Sequence, residues 1–439
     1  MKQMRGLLIA AIVLAGLSGL VYWSRKHKAD EASKPSADAA PKILALEEKQ
    51  VDGLTIQRTG SDPVEISRVG DRWEIVKPEP MPADQDTVNT IVSTASNLTS
   101  ERLIDDNPGN LEVFGLTHPI TQITLHLKSG KSSTLDLGAE TPTHSGTYAK
   151  LGNEGKVYSV PSFSKNNIDK SLNDLRDKRV LTFSQDKLSR VEVQAKDQPI
   201  EFGKNAQGEW QILKPQPLRA DGLQVDDLVR KLNEARLKVE PGKISPADFN
   251  SASRVATVQV TDNGGTQTLE VRQNKDKKVF AKSSAVGAIY QIDGDLATIL
   301  TKSVTDYRSK KLFDFGFADL AEVATETADY KKSGEKWFFN GLEMDNSSIM
   351  NLTDKLRDLT ATGFDTKDGG NKIFEATVTT QDKKRKEKVT ITRQGDNTFA
   401  QREGEPAIYK LDGAAADAVV QAAKDVKPAP TPQTKSKKK

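Results

Sequence analysis

Apolar positions along this chain change their period in the same order three times. In the first copy Leu54 and Ile56, then Val64 and Ile66, alternate with other residues, and residues 73–76 make a third such stretch after a turn at Gly70 and Asp71. Such alternation predicts antiparallel strands with one buried face. The period then lengthens. Val88, Ile91, Val92, Ala95 and Leu98 recur at helical spacings, as do Val225, Leu228, Leu232 and Ala235, and then Ile349, Leu352, Leu356 and Leu359. Each set falls on one face of a helix, and Asp84, Asp221 and Asp345 stand where an N-cap oxygen is wanted. Four more strand-like stretches and a short helix complete each copy. The pattern predicts an α+β fold of three tandem antiparallel sheet-plus-helix repeats, each sheet covered by its helix.

Aromatic landmarks keep the same order. Trp73, Trp210 and Trp337 end the first group of strands, spaced by 137 and then 127 residues. Behind each comes an aromatic–Ala pair and, ten residues after that aromatic, a tyrosine: Tyr148–Ala149 and Tyr158, Phe280–Ala281 and Tyr290, Phe399–Ala400 and Tyr409. The tryptophans are expected to pack sheet against helix, and the tyrosines to belong to the same repeat cores. Solenoid repeats run about 20–50 residues, so this much longer period means whole domains in tandem. Their boundaries read as 42–178, 179–310 and 311–425.

Residues 6–23 (GLLIAAIVLAGLSGLVYW) carry no charge. A helix of that length spans about 27 Å, close to a bilayer's hydrocarbon core, and Tyr22 and Trp23 suit the headgroup layer. No plausible small-residue cleavage site follows, so the segment reads as an uncleaved transmembrane signal anchor. Lys2 and Arg5 precede it, and Arg25, Lys26 and Lys28 follow. A short tail before a single span favours an inner-membrane protein with its repeats extracytoplasmic. Residues 24–41 read as a flexible linker, and residues 426–439 as a disordered Lys- and Pro-rich tail.

The 439 residues carry 64 basic and 61 acidic side chains and no cysteine. That balance leaves no nucleic-acid footprint, and without thiols there are no disulfides, thiolate metal sites or cysteine nucleophiles. His27, His118, His126 and His144 have no partner at metal-ligand spacing in a setting that recurs, and phosphate loops and nucleophile elbows do not occur. Asp226 and Asp227 read as exposed first-turn helix residues favoured by the dipole. The run KKRKEK at 383–388 reads as a solvated hairpin tip. No catalytic, cofactor or metal site is therefore assigned, and an enzyme is not expected.

One motif stands apart. DLRDKR at 174–179 matches DYRSKK at 306–311, at the ends of copies one and two, while copy three ends in VQAAKDV without it. That distribution assigns Arg176 and Arg308 to the junctions, capping helix ends or pairing with a carboxylate of the next repeat.

The stretches FGLTHP at 114–119, TLDLGAETPTHSGTYAKLGNEGKVYSVPS at 134–162 and LNDLRDKRVLTF at 172–183 resemble bacterial single-span envelope proteins that share a domain of unknown function, the 4340 type. The likeness is fullest in copy one. Members are often encoded beside gliding-motility-type ABC transporter permeases, so the resemblance implies an accessory role with permease subunits as partners. The leading expectation is a membrane-anchored extracytoplasmic scaffold or interaction protein. Behind it stands a binding module for an envelope polymer or small ligand. A hydrolase comes third, because three similar repeats share no polar constellation.

Overall fold

The computed structural model describes residues 42–152, 154–195, 199–240, 242–366 and 370–430. The anchor and linker expected before residue 42 lie outside them. Among the described residues no helix is long and apolar enough to cross a membrane.

The first repeat runs β1 (Val51–Arg58), β2 (Val64–Val69), β3 (Arg72–Lys77), β4 (Met81–Pro82), α1 (Gln85–Ser96), β5 (Arg102–Asp105), β6 (Thr121–Leu127), β7 (Ser132–Glu140), β8 (Gly146–Leu151), β9 (Val157–Pro161), α2 (Ser162–Ile168) and α3 (Leu172–Leu175). The second runs β10 (Arg190–Ala195), β11 (Pro199–Lys204), β12 (Trp210–Lys214), β13 (Leu218–Arg219), α4 (Gly222–Glu234), α5 (Pro246–Ser251), β14 (Ser253–Asp262), β15 (Gly265–Gln273), β16 (Val279–Ser283), β17 (Val286–Ile292), α6 (Asp295–Leu300) and α7 (Val304–Tyr307). The third runs β18 (Leu320–Thr325), β19 (Asp329–Ser333), β20 (Lys336–Phe339), β21 (Leu342–Met344), α8 (Asn346–Asp358), β22 (Gly363–Asp365), β23 (Asn371–Thr380), β24 (Lys386–Gln394), β25 (Asn397–Arg402), β26 (Ile408–Leu411) and α9 (Gly413–Lys424).

Each repeat builds one antiparallel sheet. The first is ordered β4-β3-β2-β1-β6-β7-β8-β9-β5, and the third, β21-β20-β19-β18-β23-β24-β25-β26-β22, repeats it strand for strand. The second, β13-β12-β11-β10-β14-β15-β16-β17, has the same order without the last strand. The two strand groups that flank each helix are thus halves of one sheet, joined where β1 meets β6, β10 meets β14 and β18 meets β23. The first repeat forms one compact unit ending at Lys178; the second and third together form another beginning at Arg179.

Every sheet has its own apolar core. Val88, Ile91, Val92 and Ala95 turn the inner face of α1 to the first core, and α4 and α8 do the same with Val225, Leu228 and Leu232, and with Ile349, Leu352 and Leu356. Asp84, Asp221 and Asp345 each accept backbone N–H groups in the first turn of the helix that follows. Trp73, Trp210 and Trp337 are buried, at 1%, 8% and 7% exposure. The Trp73 indole N–H donates to Asn89 Oδ1 at 2.8 Å, and its backbone N–H donates to Gln85 Oε1 at 2.8 Å. The Trp210 indole makes the matching bond to Asp226 Oδ1, also 2.8 Å. Asp226 therefore lies one turn deeper than a dipole-favoured first-turn residue and serves to hold the tryptophan.

The aromatic–Ala pairs have a register explanation. Ala149, Ala281 and Ala400 lie directly opposite Tyr158, Tyr290 and Tyr409 on neighbouring strands, and all six face the cores. The aromatic one position earlier points to the other face, as strand alternation requires. There Tyr148 meets Phe114 edge-on at 5.0 Å, and Phe280 joins a small cluster with Phe249 of α5.

Candidate functional site

The ends of the repeats show how copies are linked. After α3, Asp84 N–H donates to Leu175 O at 2.7 Å and Asp177 N–H to Pro82 O at 2.9 Å, which lays the segment holding Arg176 along the sheet edge of its own repeat. After α7, Asp221 N–H donates to Tyr307 O at 2.7 Å and Ser309 N–H to Arg219 O at 3.0 Å, so Arg308 takes the same place in the second repeat. The third repeat makes this clasp too. Asp345 N–H donates to Lys427 O at 2.8 Å and Ala429 N–H to Glu343 O at 2.9 Å, with Pro428 where the others have arginine. What the third copy lacks is the guanidinium, not the clasp. Residues 426–430, expected in a disordered tail, are held because the N-cap of α8 needs an acceptor and the β21 edge needs a partner. Residues 431–439 lie outside the described residues.

Between the second and third repeats the chain changes partner with no slack. Ser309 pairs with the second repeat, while Leu312 N–H donates to Leu359 O at 3.1 Å and Ala361 N–H to Lys310 O at 2.8 Å in the third. The Arg308 guanidinium lies 3.5 Å from the centroid of Phe364, whose ring centroid is 5.4 Å from that of Tyr409. Its neighbour in the third repeat is thus an aromatic face, while the carboxylates of that repeat go to another arginine.

That arginine is Arg219, on the two-residue edge strand β13. Its Nε donates to Glu405 at 2.7 Å, one terminal nitrogen to Asp314 at 2.6 Å and Ser309 Oγ at 3.3 Å, and the other to Lys311 O at 2.6 Å and the Tyr409 hydroxyl at 2.9 Å. A guanidinium has five N–H donors, so all are engaged. Burial works against its charge, but Asp314, Tyr409 and Glu405 outweigh this and hold it above the usual arginine range. The Tyr409 hydroxyl donates to Glu405 at 2.6 Å, and burial raises its pKa, with Arg219 opposing and Glu405 adding.

Arg402 continues the network inside the third repeat. It donates to Leu312 O, to Glu405 at 2.9 Å and to Glu387 at 3.4 Å, while the backbone N–H of Asp314 donates to Glu387 at 2.8 Å. A second tie crosses between the repeats where Arg385 pairs with Glu209. The basic run at 383–388 is thus engaged at Arg385, not simply solvated. Glu387 and Arg402 are the buried end of this network, while Glu209 and Arg385 are its more exposed end. Around it opens a cleft of about 910 Å³ walled by both repeats.

The histidines lie elsewhere. His126 bridges Thr55 Oγ1 and Ser132 Oγ at 3.0 Å each, and His144 lies 3.2 Å from Glu140. His27 is outside the described residues, among which no group of three or more His, Asp or Glu could hold a metal ion.

Sequence reading passed over Arg219, Asp314, Glu387, Arg402 and Glu405. A signal existed where the copies depart from each other. Arg219 stands where the first repeat has Pro82, and Asp314 where the second has Thr182. Thr182 N–H donates to Gln267 Oε1 at 2.8 Å as Asp314 N–H does to Glu387, so Glu387 replaces a glutamine.

The fold defines a tandem-repeat protein with a polar network at the junction of its second and third repeats. The family described as Domain of unknown function (DUF4340) matches residues 73–239 and 210–385, and the chain belongs to it. Each match starts on a repeated tryptophan and runs across one junction. Comparisons with curated proteins and with solved structures gave no match.

Proposed function

We propose that the protein is a membrane-anchored extracytoplasmic scaffold or interaction component, accessory to an envelope ABC transport system. The observation that carries this reading is the bracing at Arg219, four of whose five donor bonds reach across to the third repeat. Two domains joined without slack on a membrane tether can offer a partner a surface of fixed shape. The uncharged stretch at 6–23 supplies the tether, with the repeats outside the inner membrane. A binding module for an envelope polymer or small ligand is the second reading, favoured by the cleft of about 910 Å³.

Purification of the detergent-solubilised chain tests the first reading. ABC permease subunits should accompany it at fixed stoichiometry, and the chain should stay with membranes through alkaline washing. Recovery of the chain without a stoichiometric partner would sink the scaffold, and release by the wash would sink the anchor.

A further inference from the structure

The face that receives Arg219 in the third repeat has a counterpart in the first. Arg219 is taken up there by Glu405, by the Tyr409 hydroxyl and by Lys311 O, with Phe364 of β22 packed beside Tyr409. In the first repeat Glu154 N–H donates to Leu151 O at 2.9 Å in the turn from β8 to β9, as Glu405 N–H does to Arg402 O at 3.2 Å in the turn from β25 to β26. Tyr158 pairs with Ala149 on one side and Leu103 of β5 on the other, as Tyr409 does with Ala400 and Phe364. Ile43 N–H donates to Leu98 O as Leu312 N–H does to Leu359 O, which puts Lys42 where Lys311 stands. The glutamate is not a constant of the repeat. The second copy has Val286 at that position, and the copy before it has Pro82 in place of Arg219. A carboxylate here thus goes with an arginine from the preceding copy, and an apolar residue goes with none. Glu154 keeps the carboxylate although no copy precedes it in the sequence. Arg402, which also bonds Glu405, is replaced by Leu151, and the nearby Lys156 pairs with Asp106 at 3.4 Å. Glu154 is exposed, and Leu103, in the place of Phe364, is 43% exposed.

We propose that the face of the first repeat made by Glu154, Tyr158 and Leu103 docks a partner protein that presents an arginine from an extended edge, as the second repeat presents Arg219 from β13. The planar guanidinium suits a carboxylate, a hydroxyl and a main-chain carbonyl set side by side, here those of Glu154, Tyr158 and Lys42. Ala45 stands where the third repeat has Asp314, so Glu154 carries the negative charge of this face. A second copy of this chain is a poor occupant at its free end. Ala429 N–H donates to Glu343 O as Ser309 N–H does to Arg219 O, so the third repeat carries Glu343 in the place of Arg219 and would set like charges together. The inference rests on the scaffold reading and names a surface that would serve it.

Photo-crosslinking of the full chain in intact membranes tests this, with p-benzoylphenylalanine incorporated at position 103. An adduct with a second polypeptide should form, and its cross-linked peptide should carry an arginine. Glu154→Gln should lower the yield about tenfold or more, as for truncating one side of an interfacial charge pair. Glu154→Arg should abolish the adduct, and changing the partner's arginine to glutamate should restore it. Both variants should melt like the wild type, since Glu154 is exposed. No adduct, an adduct with residues 24–41 of this chain or with a second copy, or a yield indifferent to Glu154 would overturn the proposal. Co-purification separates the two failures. If position 103 cross-links nothing while permease subunits accompany Glu154→Arg as they do the wild type, the docking face is wrong and the scaffold stands; if the wild-type chain brings no partner, the scaffold falls as well.

Discussion

Trp73, Trp210 and Trp337 occupy one position in three cores, each on a strand beneath its own helix. Arg219 occupies the junction of the second and third repeats, and its counterpart in the first repeat is Pro82. Comparing the two positions shows where a duplicated domain is free to change. A core residue faces neighbours that every copy contains, so altering it leaves a cavity in a close-packed interior. A residue on an outer sheet edge meets its partners only in the finished row. Arg219, Asp314 and Glu387 are all departures from another copy, and all three belong to the network between the second and third repeats. The cores carry the repeat, and the differences between copies carry the junction.

The largest expected effect falls on the cores. Trp73→Ala, Trp210→Ala and Trp337→Ala should each lower stability by about 3–5 kcal/mol, as for other large buried side chains. Urea denaturation followed by repeat-specific proteolysis should place each loss in one repeat; equal loss in all three would remove the idea of separate cores.

A smaller effect belongs to the junction. Arg219→Ala takes away one of the two arginines that Asp314 and Glu405 share, leaving Arg402, and should cost about 2–3 kcal/mol, between the ranges for exposed and buried pairs. Arg219→Lys should rescue it poorly, since one ammonium cannot serve five acceptors. Small-angle scattering of residues 179–430 should show the two repeats spread apart in the alanine variant. Unchanged scattering would mean that the backbone connection alone sets their geometry.

Charge inside a repeat gives a contrast. Asp169 accepts from Arg58 and Thr121 at 2.7 Å each and pairs with Lys165 at 2.8 Å. Burial by itself would raise its pKa, but these three bonds prevail and hold it at about 2, below the usual 3.8. A carboxylate depressed on folding stabilises above its unfolded pKa, and that contribution fades as pH falls through the folded value. Asp169→Asn should therefore cost about 2 kcal/mol at pH 7 and little at pH 2. A difference from wild type that stays constant over that window would show that Asp169 acts through shape and not charge.

The smallest effect is expected at the rim. Arg385→Ala removes a half-exposed pair with Glu209 and should cost no more than about 1 kcal/mol, shrinking further in salt. A loss as large as that of Arg219→Ala would move the centre of the junction to the mouth of the cleft.

Much of each repeat was legible from short stretches of chain. Strand alternation, the helix faces and the N-cap aspartates depend on residues close in sequence, where period and side-chain direction are coupled, and the order from Trp73 to Tyr158 was legible because it recurs in all three copies. The clasp at 426–430 was not legible, because Pro428 shares no side-chain chemistry with Arg176 or Arg308 and only the backbone repeats. Arg308 was legible as a junction residue by its spacing, but not the aromatic face of Phe364 on which it rests.

By itself, the sequence determined that there are three copies, which elements each contains and which aromatics enter the cores, since these follow from local periodicity and from repetition. Tertiary structure alone decided that both strand groups of a repeat join in one sheet through pairs such as β1 and β6, and that Arg219 meets Asp314 and Glu405, 95 and 186 residues away. Contacts over such separations leave no period in the chain. They exist only once independent sheets have closed and their edges have been brought together by a connection too short to let them part.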